Sequence, residues 1–316
     1  MSKIGYMLVY KNQEEATVAW NEVGCMYDLV FALRMANEED RKISTYETYV
    51  SSPNERTVLI VRPRQETWQE QFGMTELKSL NFWKSILAEF VLTLLFILVS
   101  CGCTLTSKTS LHQGICVGYL VSVLIAVSLE QSGYFNPAIS FGLLVARTIK
   151  ITRFLFYVAA QIAGGLSGAG LLYLYTPREV RQHIGVLSLN PLISDGIGFV
   201  IEMTLTFLLM WTVLATRDRK NGYIGFQAPL AIGFSVTVGI MLGLPFTGAA
   251  MNPVRAFAPG IIMNQLSNHW VYWVGPLVGA LLGSLSYEFV FKLENDDSKR
   301  DIPTVQLNFN STTSNL

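Results

Sequence analysis

Charge is the first thing this sequence is short of. Only 15% of its residues are Asp, Glu, Lys or Arg, against roughly 25% in a soluble domain. Hydrophobic residues make up 51%, and the mean hydropathy is +0.37. This balance excludes an ordinary soluble globule and points to a membrane. The charges present are uneven: residues 1–80 hold 21 of the 46, so the other 236 residues share 25. A formal net charge of zero gives no reason to expect a nucleic-acid partner. Histidine is rare, and the four cysteines (Cys25, Cys101, Cys103, Cys116) stand at no metal-ligand spacing with it. Cys101 and Cys103 fall in an apolar run, where cysteine behaves as a small hydrophobe, so neither a metal nor a disulfide is expected. No nucleophile–base set appears either, which argues against an enzyme or a cofactor. The N-terminus lacks an early apolar run, so no cleavable signal peptide is expected and an internal helix must direct insertion.

What the chain does have is long apolar stretches. Six approach the roughly 20 residues needed to cross a bilayer: 83–105, 113–131, 151–174, 194–216, 225–244 and 268–291. Gly164 and Gly168 in the third, and Gly275, Gly279 and Gly283 in the sixth, are spaced to let helix backbones approach closely in lipid. Basic residues favour one side: Arg147, Lys150 and Arg153 between spans two and three, and Arg217, Arg219 and Lys220 between four and five. The opposite loops hold Lys108, and Arg178 with Arg181. By the positive-inside rule both termini are expected in the cytoplasm.

The chain also repeats itself. AEFVLTLLF at 88–96 matches IEMTLTFLL at 201–209, and NPAIS at 136–140 matches NPVRA at 252–256. Glu89 precedes Asn136 by 47 residues and Glu202 precedes Asn252 by 50. Three spans per copy set the copies in opposite orientations, the inverted arrangement that puts a site at mid-membrane. The apolar run after each Asn-Pro is too short to span. Asparagine caps helices, and Pro137 and Pro253 would sit at the first helical position, where a missing N–H costs nothing. Each motif therefore reads as a half-helix that dips in and stops, which is tolerated only inside protein or along a watery cavity. Two opposed half-helices would aim positive dipole ends and two asparagine amides at one point, a pore centre.

At these residues the chain resembles the major intrinsic protein family, the aquaporins and glycerol facilitators. The resemblance covers residues 81–292 and includes SGYFNPAIS, TGAAMNPVRAFAPG and HWVYWVGPLVGALLG; the water-channel and big brain-type branches look most similar. It implies an all-α membrane fold of six helices plus two re-entrant half-helices, with one pore per subunit of a homotetramer. It also implies that Asn136, Pro137, Ala138, Asn252, Pro253 and Val254 form the pore centre. Arg255 stands at the position of the family's filter arginine, with Val117, Ile240 and Ala249 as the other filter positions. These three replace the phenylalanine, histidine and cysteine that strict water channels carry, making the filter more apolar. Glycerol facilitators have Asp after the arginine, here Ala256, and the Tyr272-Trp273 pair is typical of water channels.

Two departures stand out. Val254 replaces the usual alanine of the second motif. Only Tyr134 and Phe135 separate Ser-Gly from the first Asn-Pro, one residue fewer than usual, which would shift the pore wall near Asn136. Glu89 and Glu202 read as buried carboxylates that hold N–H groups of the re-entrant loops.

The expected organisation is a cytoplasmic extension at 1–80, a channel domain at 81–293 (repeats about 81–175 and 191–293) and a cytoplasmic tail at 294–316. In the extension, Val23, Met26, Tyr27, Val30 and Phe31 are spaced like one face of an amphipathic helix. RTVLIV at 56–61 suggests a short strand, although the polar composition favours low order. The tail ends in Ser314-Asn315-Leu316, a generic PDZ ligand, and carries a sequon at Asn310 that a cytoplasmic tail would not expose to glycosylation. The leading expectation is a passive water channel of the plasma membrane in a lipid bilayer. The alternatives are a channel for glycerol, urea or similar neutral solutes, and an adhesion or signalling protein on the same scaffold.

Overall fold

The computed structural model describes residues 46–51, 58–63, 67–106, 109–128, 132–218, 227–291 and 305–306. The chain divides into two compact units, Gln69–Leu293 and a second formed by Met1–Trp68 with Glu294–Leu316. In the second unit β1 (Tyr46–Ser51) pairs antiparallel with β2 (Val58–Pro63), in the register Tyr46 to Pro63 through Ser51 to Val58. A two-residue strand, β3 (Val305–Gln306), pairs on the other edge of β2. The strand expected at 56–61 lies two residues later. The polar composition of the extension favours low order, yet Tyr46–Ser51 and Val58–Pro63 pair as strands, with Val305–Gln306 of the tail as the third. The amphipathic stretch at 23–31, the sequon and the terminal Ser314-Asn315-Leu316 lie outside the described residues.

The other unit is helical. A short helix α1 (Trp68–Phe72) and a 3-10 turn (Met74–Lys78) lead into α2 (Leu80–Thr106), α3 (Ser110–Ala126) and the half-helix α4 (Pro137–Val145). The long helix α5 (Ile151–Tyr175) closes the first repeat. The second repeats the order with α6 (Asp195–Arg217), α7 (Gln227–Thr247), the half-helix α8 (Pro253–Ile262) and α9 (Val271–Ser286), which ends in a π turn at Tyr287–Phe291. Thus six helices span and two dip in. Five of the six are long and apolar enough to cross a bilayer unaided, counting α9 with its π turn. The sixth, α3, has 17 residues, or about 26 Å at 1.5 Å per residue. It starts three residues before the expected span because Thr109 caps it, accepting the His112 N–H.

The bundle wears its apolar residues outward. Along α2, Leu87, Val91, Leu95 and Val99 are exposed on one stripe, while Glu89, Thr93 and Ser100 are buried on the other. That inversion suits lipid, where close packing rather than water exclusion draws helices together. The pairings obey the repeat: α2 packs on α5 as α6 packs on α9, and α3 meets α7 between the copies. Each half-helix crosses over, α4 to α9 and α8 to α5. Close approach needs glycine at Gly168, where a Cβ would lie 2.3 Å from the Leu94 carbonyl oxygen. The same holds at Gly279, 2.2 Å from the Met203 oxygen.

The helical unit starts at Gln69, ahead of the boundary at residue 80, because the segment before α2 is tied down. Lys150 Nζ donates to the Glu70 carbonyl, and Thr152 Oγ1 to the Phe72 carbonyl at 2.7 Å. Arg153 pairs with Glu76 (Nη2 to Oε2, 2.5 Å), donates to Ser85 and Tyr157, and lies against the Phe82 ring. Its buried charge is thereby matched.

Candidate functional site

The two half-helices begin alike. Asn136 (φ −151°, ψ 114°) and Asn252 (φ −150°, ψ 114°) both cap their helices from extended backbone. Asn136 Oδ1 accepts the Ala138 N–H at 2.9 Å, and Asn252 Oδ1 accepts the Val254 N–H at 3.0 Å. Pro137 and Pro253 fill the first helical position. Then the amides cross. Asn136 Nδ2 donates to the Met251 carbonyl at 2.9 Å, and Asn252 Nδ2 donates to the Phe135 carbonyl at 2.8 Å. This exchange holds the two N-termini together. It uses one N–H of each amide, and each amide carries two.

Neither approach to an asparagine is relaxed backbone. Phe135, Ala249 and Met251 have φ of 36°, 53° and 50°, a left-handed region that costs non-glycine residues roughly 1–2 kcal/mol each. Buried carboxylates offset the cost. Glu89 accepts the N–H groups of Gly133, Tyr134 and Phe135 at 2.7–2.9 Å, and the Gln161 amide at 2.8 Å. Glu202 accepts those of Ala250 and Met251 at 2.9 and 2.8 Å, and the Thr247 hydroxyl at 2.6 Å. Each such hydrogen bond contributes about 0.5–1.5 kcal/mol net, and three or four act together on each turn.

One cavity of about 430 Å³ runs beside this pair. Val117, Val121 and Ile125 border it along α3, and Ala228, Ile232, Val236 and Ile240 along α7, each one turn from the next. From Gln113 to Ile125, both on its wall, the α3 side spans about 18 Å. Asn136 and Asn252 border it, as do Arg217 at the end of α6 and Arg255 on the half-helix α8. Val117, Ile240, Ala249 and Arg255 all reach its wall. Arg255 is buried, and its Nη1 donates to the Gly185 carbonyl at 2.6 Å. A buried guanidinium needs such partners, since desolvating an unpaired charge is costly. Ser100 Oγ, also on the wall, has no hydrogen-bond partner to nitrogen or oxygen among the described residues, so a water is its natural one.

Ala138 and Val254 are fully buried away from this wall. The larger Val254 fits because Gly165 faces it: a Cβ there would lie 2.2 Å from Val254 Cγ1. Despite the missing residue, Asn136 caps its helix with dihedrals that match those of Asn252. The shorter loop instead gives Glu89 three successive N–H groups where Glu202 receives two and a hydroxyl.

Several participants escape sequence reasoning. Gln161 and Thr247 complete the carboxylate cradles, and the Gly185 carbonyl holds Arg255. The expectation for the cysteines needs correction: Cys103 and Cys116 form a disulfide between α2 and α3, while Cys101 is free and buried. Thirteen residues separate the pair, and the hairpin turn brings them together.

Six spanning helices with two re-entrant half-helices meeting in a cavity define a membrane channel built on an inverted repeat. The sequence profile of the family described as "Major intrinsic protein" matches residues 76–287, and this chain belongs to that family. Aquaporin-4 of Rattus norvegicus is 38% identical over 219 residues, 66% of this chain and 68% of its own. Lens fiber major intrinsic protein of Gallus gallus is 42% identical over 221 residues, 68% of this chain and 84% of its own. The aquaglyceroporin from Plasmodium falciparum shares the fold at a TM-score of 0.61 and 24% identity, over 66% of this chain and 96% of that one.

Proposed function

We propose that this channel conducts water passively, with small neutral solutes such as glycerol and urea as a second class. One observation carries the reading: the asparagines whose amides cross at the half-helix tips both border the cavity that Arg255 borders. Each amide has one N–H left for a passing water oxygen, replacing hydration lost in the narrow lumen. A water held by both donors cannot pass a proton chain along. The positive half-helix ends and Arg255 repel cations. The solute reading has its own support, since Val117, Ile240 and Ala249 are aliphatic and leave the Arg255 end without a bulky side chain.

By the distribution of basic loops, the Arg217 end faces the cytoplasm, with both termini, and the Arg255 end faces outward. The plasma membrane and a homotetramer follow the family resemblance. The flanks 1–80 and 294–316 are cytoplasmic appendages of the channel domain 81–293, and the terminal Ser314-Asn315-Leu316 suits a PDZ partner.

Stopped-flow light scattering on proteoliposomes, with water and glycerol measured in parallel, tests the assignment. Water flux well above that of empty vesicles is the expected result. Flux of neither solute would overturn it in favour of an adhesion or signalling role.

A further inference from the structure

The cavity wall is lopsided. Its aromatic side chains are Phe96, Tyr134 and Phe135, and the Arg255 end has none among the described residues. Phe96 and Phe135 sit together beside the asparagines, 5.2 Å between ring centroids. Tyr134 stands towards the Arg217 end and is fixed there on three sides. Its backbone N–H, like those of its two neighbours, is bound by Glu89. Its ring lies 5.7 Å from that of Tyr157, and the Arg217 guanidinium carbon sits 5.4 Å from its centroid. A guanidinium over a tyrosine face is an attractive cation–π contact. Arg217 is itself on the cavity wall and exposed, so it covers the ring from the solvent side. The loop bearing Tyr134 is one residue shorter than its counterpart before Asn252.

We propose that this channel selects solutes by size at its Arg217 end, where Tyr134, clamped by Glu89 and covered by Arg217, narrows the passage. The Arg255 end, lined by Val117, Ile240 and Ala249, supplies charge selection and little steric selection. This rests on the channel reading above and adds where glycerol-sized molecules are held back. Arg217 acts through the ring: it is a positioning residue, and Tyr134 is the group a solute meets.

The test is water and glycerol permeability of full-length protein in proteoliposomes, for wild type, Tyr134→Ala and Arg217→Ala, each normalised to incorporated protein. Tyr134→Ala should raise the glycerol-to-water ratio about fivefold, equivalent to lowering one barrier by about 1 kcal/mol. Arg217→Ala should raise it by a smaller factor, and the double variant should match Tyr134→Ala, because Arg217 has no ring left to hold. Tyr134→Leu, which keeps bulk in the loop, serves if the alanine variant fails to incorporate, and should raise the ratio about twofold. A ratio unchanged in the Tyr134 variants, or a double variant showing the product of the single effects, overturns the proposal. A wild type that conducts water while the variants keep its ratio defeats this inference alone. A wild type that conducts neither solute defeats the channel reading instead.

Discussion

The two Asn-Pro loops reach one geometry by different routes. Asn136 and Asn252 agree within a degree in φ and ψ, yet the first is approached through two residues after its glycine and the second through three. In the first, one carboxylate gathers three consecutive backbone N–H groups and a glutamine amide; in the second it gathers two and a threonine hydroxyl. What the two copies share is the conformation of the cap, and the supports around it adjust. Beyond the cap the copies diverge on purpose-built lines: the residue three past each asparagine is Ile139 in one half-helix and Arg255 in the other, both on the cavity wall. Duplication sets the frame, and single substitutions make the two ends of the pore different.

The largest effect expected is on the supports. Glu89→Ala leaves three backbone donors and the Gln161 amide without their acceptor and should cost roughly 3–5 kcal/mol. It should appear as a large drop in melting temperature in detergent and in recovered folded protein. Glu202→Ala should cost less, since it strands two backbone donors and a hydroxyl that can turn to the Gly243 carbonyl. Equal losses would break the distinction drawn between the loops.

Next comes Arg255→Ile, which makes the second half-helix resemble the first. With the charge gone, proton leak, read with a pH-sensitive dye inside vesicles, should rise about tenfold, or about 1.4 kcal/mol. No added leak would mean the half-helix ends exclude protons by themselves.

A smaller change is Val254→Ala, which matches Ala138 in the first motif. It opens space against Gly165 and should destabilise by about 1 kcal/mol while water permeability holds. A loss of transport would place Val254 in the conducting path after all.

The smallest response should be to mercurials. Ala249 supplies no thiol, Cys116 is bonded to Cys103, and Cys101 is buried behind the wall. Water flux should fall little under mercury; strong block would mean a thiol reaches the lumen.

How much of this was written in the chain depends on distance. The paired Asn-Pro motifs, their glutamates and the short runs after them are local signals with known physics, so the half-helices and inverted repeat could be read directly. Arg255 is legible because an isolated charge in an apolar segment needs a partner. That partner, the Gly185 carbonyl, is a backbone atom 70 residues away and leaves no mark in composition. Gln161 reaches Glu89 across 72 residues, and Arg217 reaches the Tyr134 loop from the end of α6. The cysteine pair was hidden because its thiols lie in apolar helices, where cysteine ordinarily just packs. The third strand leaves no signal in the sequence because two residues carry no periodicity and pair with β2 far along the chain.

An experimental density map fine enough to locate water would test the central claim most directly. The account predicts an ordered water within about 2.7–3.2 Å of both Asn136 Nδ2 and Asn252 Nδ2, in a file of waters running from Arg255 to Tyr134. A dry cavity, or amides turned wholly into the protein with no water between them, would contradict it.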